Sequence, residues 1–321
     1  MNTIEQATKR IEQLRRAGIE VPWGAAGVEQ APPAQAAAPE ATASASSASQ
    51  AVEAVVNQPA SEASAAADTP EAQPASHRRS KSVELNLARL AQNGYLVPGR
   101  ERSQIEEEFR IIKRPLLKNA MGEGAAPVER ANLIMVTSAL PGEGKTYTSI
   151  NLAISLAMEL DHKVLLVDAD VVRPSVLDRL GLQPTKGLLD ILTNSDIDMS
   201  DVMLKTNIPK LTLLPAGIGS GEANTTELLA SGAMEKLLDE LAQKYHDRIV
   251  VFDAPPLLPS TESRVLATHL GQIVLVVEAD RTPKASVTQA FAALESCPVV
   301  MSVLNKCRSK KANTAYGYYA V

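Results

Sequence analysis

The residues of this chain that most directly imply chemistry are a lysine and a threonine closing a glycine-bearing turn, Ala139-Leu-Pro-Gly-Glu-Gly-Lys145-Thr146. Glycines let successive backbone N–H groups turn toward an anion with no Cβ in the way. The lysine supplies a point charge for terminal phosphates, and the threonine hydroxyl can reach a magnesium ion. The turn follows the apolar run Leu133-Ile-Met-Val136 and precedes a helical run from Thr146 to Leu160, the strand–loop–helix order that phosphate gripping needs. Ala139 stands where the G-x-x-x-x-G-K-[ST] pattern has its first glycine. A chance match is the competing reading; the flanking strand and helix argue against it and make an ATP-dependent activity the first hypothesis.

Two more apolar runs end in acid. They are Val164-Leu-Leu-Val-Asp168-Ala-Asp170, followed by Arg173, and Ile249-Val-Val-Phe-Asp253-Ala-Pro-Pro256. A carboxylate after a strand is by itself most often a turn or helix cap. Three of them downstream of a phosphate loop read differently. Mg²⁺ keeps several waters and takes one or two carboxylates plus phosphate oxygens, so these acids and Thr146 suffice for an ion bound to a nucleotide.

The elements that must position these groups are legible in the same way. Strand-like runs cover Leu133 to Val136, Val164 to Val167, Leu211 to Leu214, Ile249 to Phe252, Ile273 to Val277 and Val299 to Leu304. Continuous apolar strands alternating with helices predict an α/β fold, a mostly parallel sheet covered by helices on both faces. In such sheets ligands sit beyond the carboxyl ends of the strands, where the loop and the acids all fall. The helix after the loop is apolar around nearly its whole circumference, up to Leu160, and is expected to be buried. Before it, Val83 to Tyr95 and a helix-like Ser103 to Leu117 lead into the domain, with Pro115 marking the last turn or a kink.

Of the 321 residues, 3% are aromatic, so not all of the chain packs. Residues 1–22 place Ile4, Ala7, Ile11 and Leu14 on one side, with Lys9, Arg10, Arg15 and Arg16 on the other, an amphipathic helix for a partner, anionic lipid or its own protein. Residues 23–80 are rich in Ala, Pro and Ser, too poor in large apolar side chains to offset chain entropy, and are expected to be a disordered tether. The domain is expected over 81–307, with a mobile tail over 308–321. A net charge of −5 argues against broad nucleic-acid binding. Cys297 and Cys307 lack metal-ligand spacing and read as reduced thiols of a cytoplasmic protein. No run approaches the ~20 apolar residues of a membrane span.

From about Glu101 to the C-terminus the chain resembles the bacterial tyrosine kinases, a branch of the P-loop proteins. The resemblance rests on Pro141-Gly-Glu-Gly-Lys-Thr146, on Asp168-Ala-Asp170-Val-Val-Arg173, on Asp253-Ala-Pro-Pro256 and on the tail Tyr316-Gly-Tyr318-Tyr319. Glu107-Glu-Phe-Arg-Ile-Ile-Lys-Arg-Pro-Leu-Leu117 and the N-terminal helix are similar to the autokinases associated with exopolysaccharide and exosortase systems. Partition and division-site ATPases carry an extra lysine near the start of the loop, where this chain has Leu140.

The resemblance implies transfer of the γ-phosphoryl group of ATP to Tyr316, Tyr318 and Tyr319, most readily in a neighbouring subunit. Lys145, Asp168 and Asp170 are the implied catalytic residues. Pro141, Gly142, Glu143, Gly144, Lys145, Thr146, Tyr147 and Asn305 are the implied nucleotide contacts, and Thr146, Asp170 and Asp253 the implied magnesium ligands. Asp168 is the candidate for taking the phenolic proton. The implied partners are a separate membrane co-polymerase of the chain-length-determinant type, a cognate tyrosine phosphatase, and further copies of the chain through Glu107, Arg110 and Lys113. These place the chain in the cytoplasm, peripheral to the inner membrane. The competing functions are a nucleotide switch of the partition or division-site type and a non-catalytic scaffold. The tyrosines and Leu140 speak against the first, and retention of Lys145 and the three acids against the second.

Overall fold

The apolar runs that end at the loop and the acids become neighbouring strands in the computed structural model, which describes residues 81–99, 103–218, 225–243, 245 and 247–307. All of these lie in one compact unit, Glu71–Val321. The helix expected over 1–22, the tether and the tyrosine tail lie outside the described residues.

Among the described residues eight strands form one sheet: β1 (Lys81–Val83), β2 (Leu133–Ser138), β3 (Lys163–Asp168), β4 (Leu204–Thr206), β5 (Leu211–Leu214), β6 (Arg248–Asp253), β7 (Gln272–Glu278) and β8 (Val299–Asn305). Their spatial order is β1-β4-β5-β3-β6-β2-β7-β8, and every pairing is parallel except β4 with β5. Six strands coincide with the apolar runs. The three-residue β1 and β4 were not foreseen, because Lys81-Ser-Val83 and Leu204-Lys-Thr206 are too short and polar for an apolar run to mark them. Side chains alternate across the sheet, so Leu133 and Met135 enter one core while Ile134 and Val136 enter the other.

On the Ile134 face lie α1 (Leu87–Gln92), α2 (Gln104–Ala120), α3 (Lys145–Ala157) and α4 (Val176–Leu180). On the Leu133 face lie α5 (Leu188–Thr193), α6 (Met199–Val202), α7 (Thr225–Leu229), α8 (Gly232–Gln243), α9 (Thr261–Thr268) and α10 (Lys284–Ala293). Helix α3 is buried between sheet and α2, which explains its lack of a polar face. It ends at Ala157, short of the expected Leu160. Leu160 is 86% exposed in the turn before β3, where Lys210 Nζ donates to the carbonyls of Glu159 and Leu160.

Helix α2 begins at a Ser103 cap, whose hydroxyl accepts the Glu106 N–H, and carries Glu106 and Glu107 in its first turn, where the helix dipole favours acid. It does not stop at Pro115 but runs through it to Ala120. Tertiary packing outweighs the missing hydrogen bond: Leu116 next to the proline is fully buried, and the Leu116 carbonyl accepts from Gln272 Nε2.

Candidate active site

Register decides which acids meet. Asp168 at the end of β3 is paired with Asp253 at the end of β6, and Asp253 in turn stands opposite Val136 of β2, three residues before the loop begins. Parallel pairing therefore carries all three sequence motifs to one edge, at the point where the sheet order reverses around β2.

The loop itself turns on two left-handed glycines, Gly142 at φ 88° and Gly144 at φ 102°. Gly144 also lies against Asn305, whose Nδ2 would come within 2.1 Å of an added Cβ. Gly144 is the N-cap of α3 with no side-chain cap, so the first N–H groups of that helix stay open for an anion.

Lys145 Nζ lies 2.5 Å from Asp170 Oδ2, both side chains nearly enclosed at 12% and 6% exposure. Burial alone would lower the Lys145 pKa, but Asp253, Asp170 and Asp168 together outweigh it and raise it, so the ammonium is held charged. Ser149, one helical turn after Lys145, donates to Asp253 Oδ1 at 2.9 Å. Thr146 Oγ1 is 3.0 Å from Ser175 Oγ. Asp168 Oδ2 accepts the N–H groups of Ser175 and Val176 at 3.1 and 3.0 Å. Asp170 Oδ1 accepts the N–H of Arg173, which is why the Asp-Ala-Asp-Val-Val-Arg spacing closes a turn.

The carboxylates are not fully satisfied. Asp168 Oδ1 and Asp253 Oδ2 are buried with no hydrogen-bond partner among the described residues. Burial, then the neighbouring Asp253 charge, pushes Asp168 up to about 7, against the pull of two backbone N–H groups. Burial likewise raises Asp253, with Lys145, Thr146 and Ser149 pulling the other way. Orphaned acceptors beside an ammonium and a hydroxyl fit a hydrated dication with a polyphosphate. Among the described residues no group of His, Cys, Asp or Glu forms a metal cage by itself.

Two expected contacts are placed differently. Tyr147 turns away from the loop: its hydroxyl donates to the Gly94 carbonyl at 2.7 Å and its ring packs 5.2 Å from that of Tyr95. Its side chain ties the lead-in segment to α3. Asn305 braces the loop, with Nδ2 donating to the Glu143 carbonyl at 2.9 Å and Oδ1 accepting the Lys306 N–H. Pro141 is exposed at the loop's crest, whereas Glu143 is 2% exposed and points inward. Ser149 and Ser175 were missed. Ser149 had a sequence signal, since a residue four after the loop lysine shares its helix face; Ser175 had none.

On α2, Glu107 and Arg110 form an exposed pair at 3.1 Å. Lys113 does not join them on the surface. Its side chain is 8% exposed, bonded to Glu159 and to the Ser155 carbonyl, both at 2.7 Å, so it closes the end of α3. Each three-residue step falls about 60° short of a full turn, so over two steps the row Glu107, Arg110, Lys113 drifts from the surface toward the core side of the helix.

A P-loop edge with strand-end carboxylates is the arrangement of a nucleotide-dependent phosphotransferase or ATPase. Residues 131–295 match the AAA domain family. The tyrosine-protein kinase YwqD of Bacillus subtilis (strain 168) is 31% identical over 240 residues, covering 74% of this chain and 96% of the relative. The putative tyrosine-protein kinase CapB of Staphylococcus aureus is 29% identical over 226 residues, covering 70% and 93%. The crystal structure of the chimerical protein CapA2B2 aligns with a TM-score of 0.55 at 27% identity, over 70% of this chain and 93% of that one. The chain belongs to the bacterial tyrosine-protein kinases. It is a protein-tyrosine kinase rather than a switch of the partition or division-site type.

Proposed function

We propose that this kinase transfers the γ-phosphoryl group of magnesium-bound ATP to tyrosines of its own C-terminal segment, Tyr316, Tyr318 and Tyr319, and thereby controls exopolysaccharide synthesis or export. The observation that carries the reading is the meeting of Lys145, Thr146 and three carboxylates at the open N-terminus of α3, with two buried carboxylate oxygens unpartnered.

In this reading the N–H groups from Glu143 to Thr146 and the Lys145 ammonium hold the phosphates. Thr146, Asp170 and Asp253 would hold Mg²⁺, which would supply neutralisation of charge on the transferring group. Asn305 spends one Nδ2 proton on the loop and offers the other to the adenine edge. A phenol with a pKa of about 10 is protonated at neutral pH and needs a base in reach. Asp168 supplies it. The tyrosine oxygen bonds to the γ-phosphorus as the bond to the bridging oxygen breaks, the phenolic proton passes to Asp168, and ADP leaves.

Residues 308–321 reach at most about 50 Å when extended, enough to enter a neighbouring subunit's site. Each added phosphate brings roughly −1.5 to −2 charge and loosens an assembly held by tail docking. Glu107 and Arg110 are the exposed charges available for self-association. A separate membrane co-polymerase partner would hold the chain at the cytoplasmic side of the inner membrane, and a phosphatase would reset the tail. Among the described residues no helix is long and apolar enough to cross a membrane.

The test is incubation with Mg²⁺ and labelled ATP, comparing the full chain with one ending at Lys311. Label on the tail tyrosines, lost in the shortened chain and in Lys145→Met, is the expected result. Phosphate release with no labelled protein would overturn it.

A further inference from the structure

The phosphate loop is fastened from outside by the ends of β7 and β8. Lys306 Nζ donates to the Gly142 carbonyl at 2.7 Å and to Glu278 Oε2 at 3.0 Å. Asn305 Nδ2 donates to the next carbonyl, that of Glu143. The Glu143 carboxylate folds back on its own loop. Its Oε2 accepts the Leu140 N–H at 2.7 Å, and its Oε1 accepts the hydroxyl of Thr282. The sense of that hydroxyl is fixed, because Thr282 Oγ1 already accepts the Glu278 N–H at 3.1 Å. Lys306 itself sits at φ 59°, a left-handed conformation that a lysine adopts only under constraint.

These bonds determine which way the loop's donors point. In a trans peptide the C=O and the following N–H face opposite ways, and the described chain has no cis peptides. With the Gly142 carbonyl held by Lys306, the Glu143 N–H must face away from the β8 end. With the Glu143 carbonyl held by Asn305, the Gly144 N–H faces the same way. The Leu140 N–H, taken by Glu143, is withdrawn from any anion. Unfastened, the two glycines have the freedom to rotate these peptide planes.

We propose that Lys306 and Thr282 are positioning residues, which set the phosphate loop in its anion-binding shape through the Gly142 carbonyl and the Glu143 carboxylate. The proposal rests on the nucleotide-site reading above. Lys306 thus ties the loop to the end of β8, and displacing it unfastens the loop.

The test is Kd for a fluorescent ATP analogue with Mg²⁺, together with KM for ATP and kcat, in Lys306→Met, Lys306→Arg and Thr282→Val. Loss of the partly exposed lysine is expected to raise Kd and KM about three- to tenfold, with kcat changed by about twofold or less, because bound phosphate itself holds the loop at saturation. Lys306→Arg restores a donor and is expected to recover most of the affinity, and Thr282→Val reproduces the loss without altering charge. Unchanged Kd in both Lys306→Met and Thr282→Val overturns the proposal, as does a fall in kcat and melting temperature with no change in KM. Failure of the unaltered protein to bind the analogue would instead refute the nucleotide site itself.

Discussion

Asp168 and Asp253 stand in register at the ends of adjacent parallel strands, each with one carboxylate oxygen buried and unpartnered. Burial raises both pKa values, Asp168 to about 7 with the Asp253 charge adding to it, and Asp253 with Asp170 adding against the pull of Lys145. A pair of carboxyl groups is thus held out of water beside the Lys145 ammonium, and the fold is under electrostatic load at this edge.

That load predicts a pH dependence in the absence of nucleotide and metal. An acid whose folded pKa exceeds its unfolded value binds more protons when native, so its contribution is present at low pH and is lost as pH rises toward about 7, then levels off. Urea unfolding from about pH 5 to about pH 8 checks this against the ordinary carboxylate range near 4. Asp168→Asn is expected to flatten the slope; an equally steep slope in the variant would assign it elsewhere.

Ligand linkage follows from the same load. Mg²⁺ with ATP at about a hundred times Kd should stabilise the chain by about 2.7 kcal/mol, and chelation with EDTA should remove most of that gain. Thermal unfolding reads both arms. A full shift with ATP and EDTA would mean that the ion is not held with the nucleotide.

Gly144→Ala meets Asn305 at 2.1 Å and must keep φ near 102°. Backbone strain of this kind costs on the order of 1–3 kcal/mol. The variant should lose that stability in urea and bind the ATP analogue weakly, since the displaced Asn305 releases the Glu143 carbonyl.

Lys113→Met separates packing from assembly. Leaving the Ser155 carbonyl without its donor should destabilise the chain by about 1–3 kcal/mol, while its mass in solution stays that of the unaltered protein. Light scattering that showed smaller species would return Lys113 to the subunit interface.

The six long strands, the loop, the acids and the helix α3 were legible in the sequence because each is a local pattern: an apolar run, a glycine turn, a residue closing a strand. Chemical type and chain order sufficed to bring Lys145, Thr146, Asp168, Asp170 and Asp253 to one edge, given that parallel strands share their carboxyl ends. Three expectations sit differently in the fold: Tyr147 and Lys113 came with the resemblance and Leu160 from its apolar run, whereas Gly94, Glu159 and Lys210, which decide what those side chains touch, lie about 45 to 55 residues away in sequence.

Sequence alone thus determined the chemistry on offer, because residue types and their periodicity are properties of the chain. The tertiary structure decided what each side chain does with it. Which carboxylate oxygens stay unpartnered depends on strands brought together by the fold, and which way the loop's N–H groups face, and that Thr282 and Lys306 hold it at all, depend on contacts across more than 130 residues of chain, as from Gly142 to Lys306. Hydrogen bonds are directional and short, so only the packed positions of the strands could specify them.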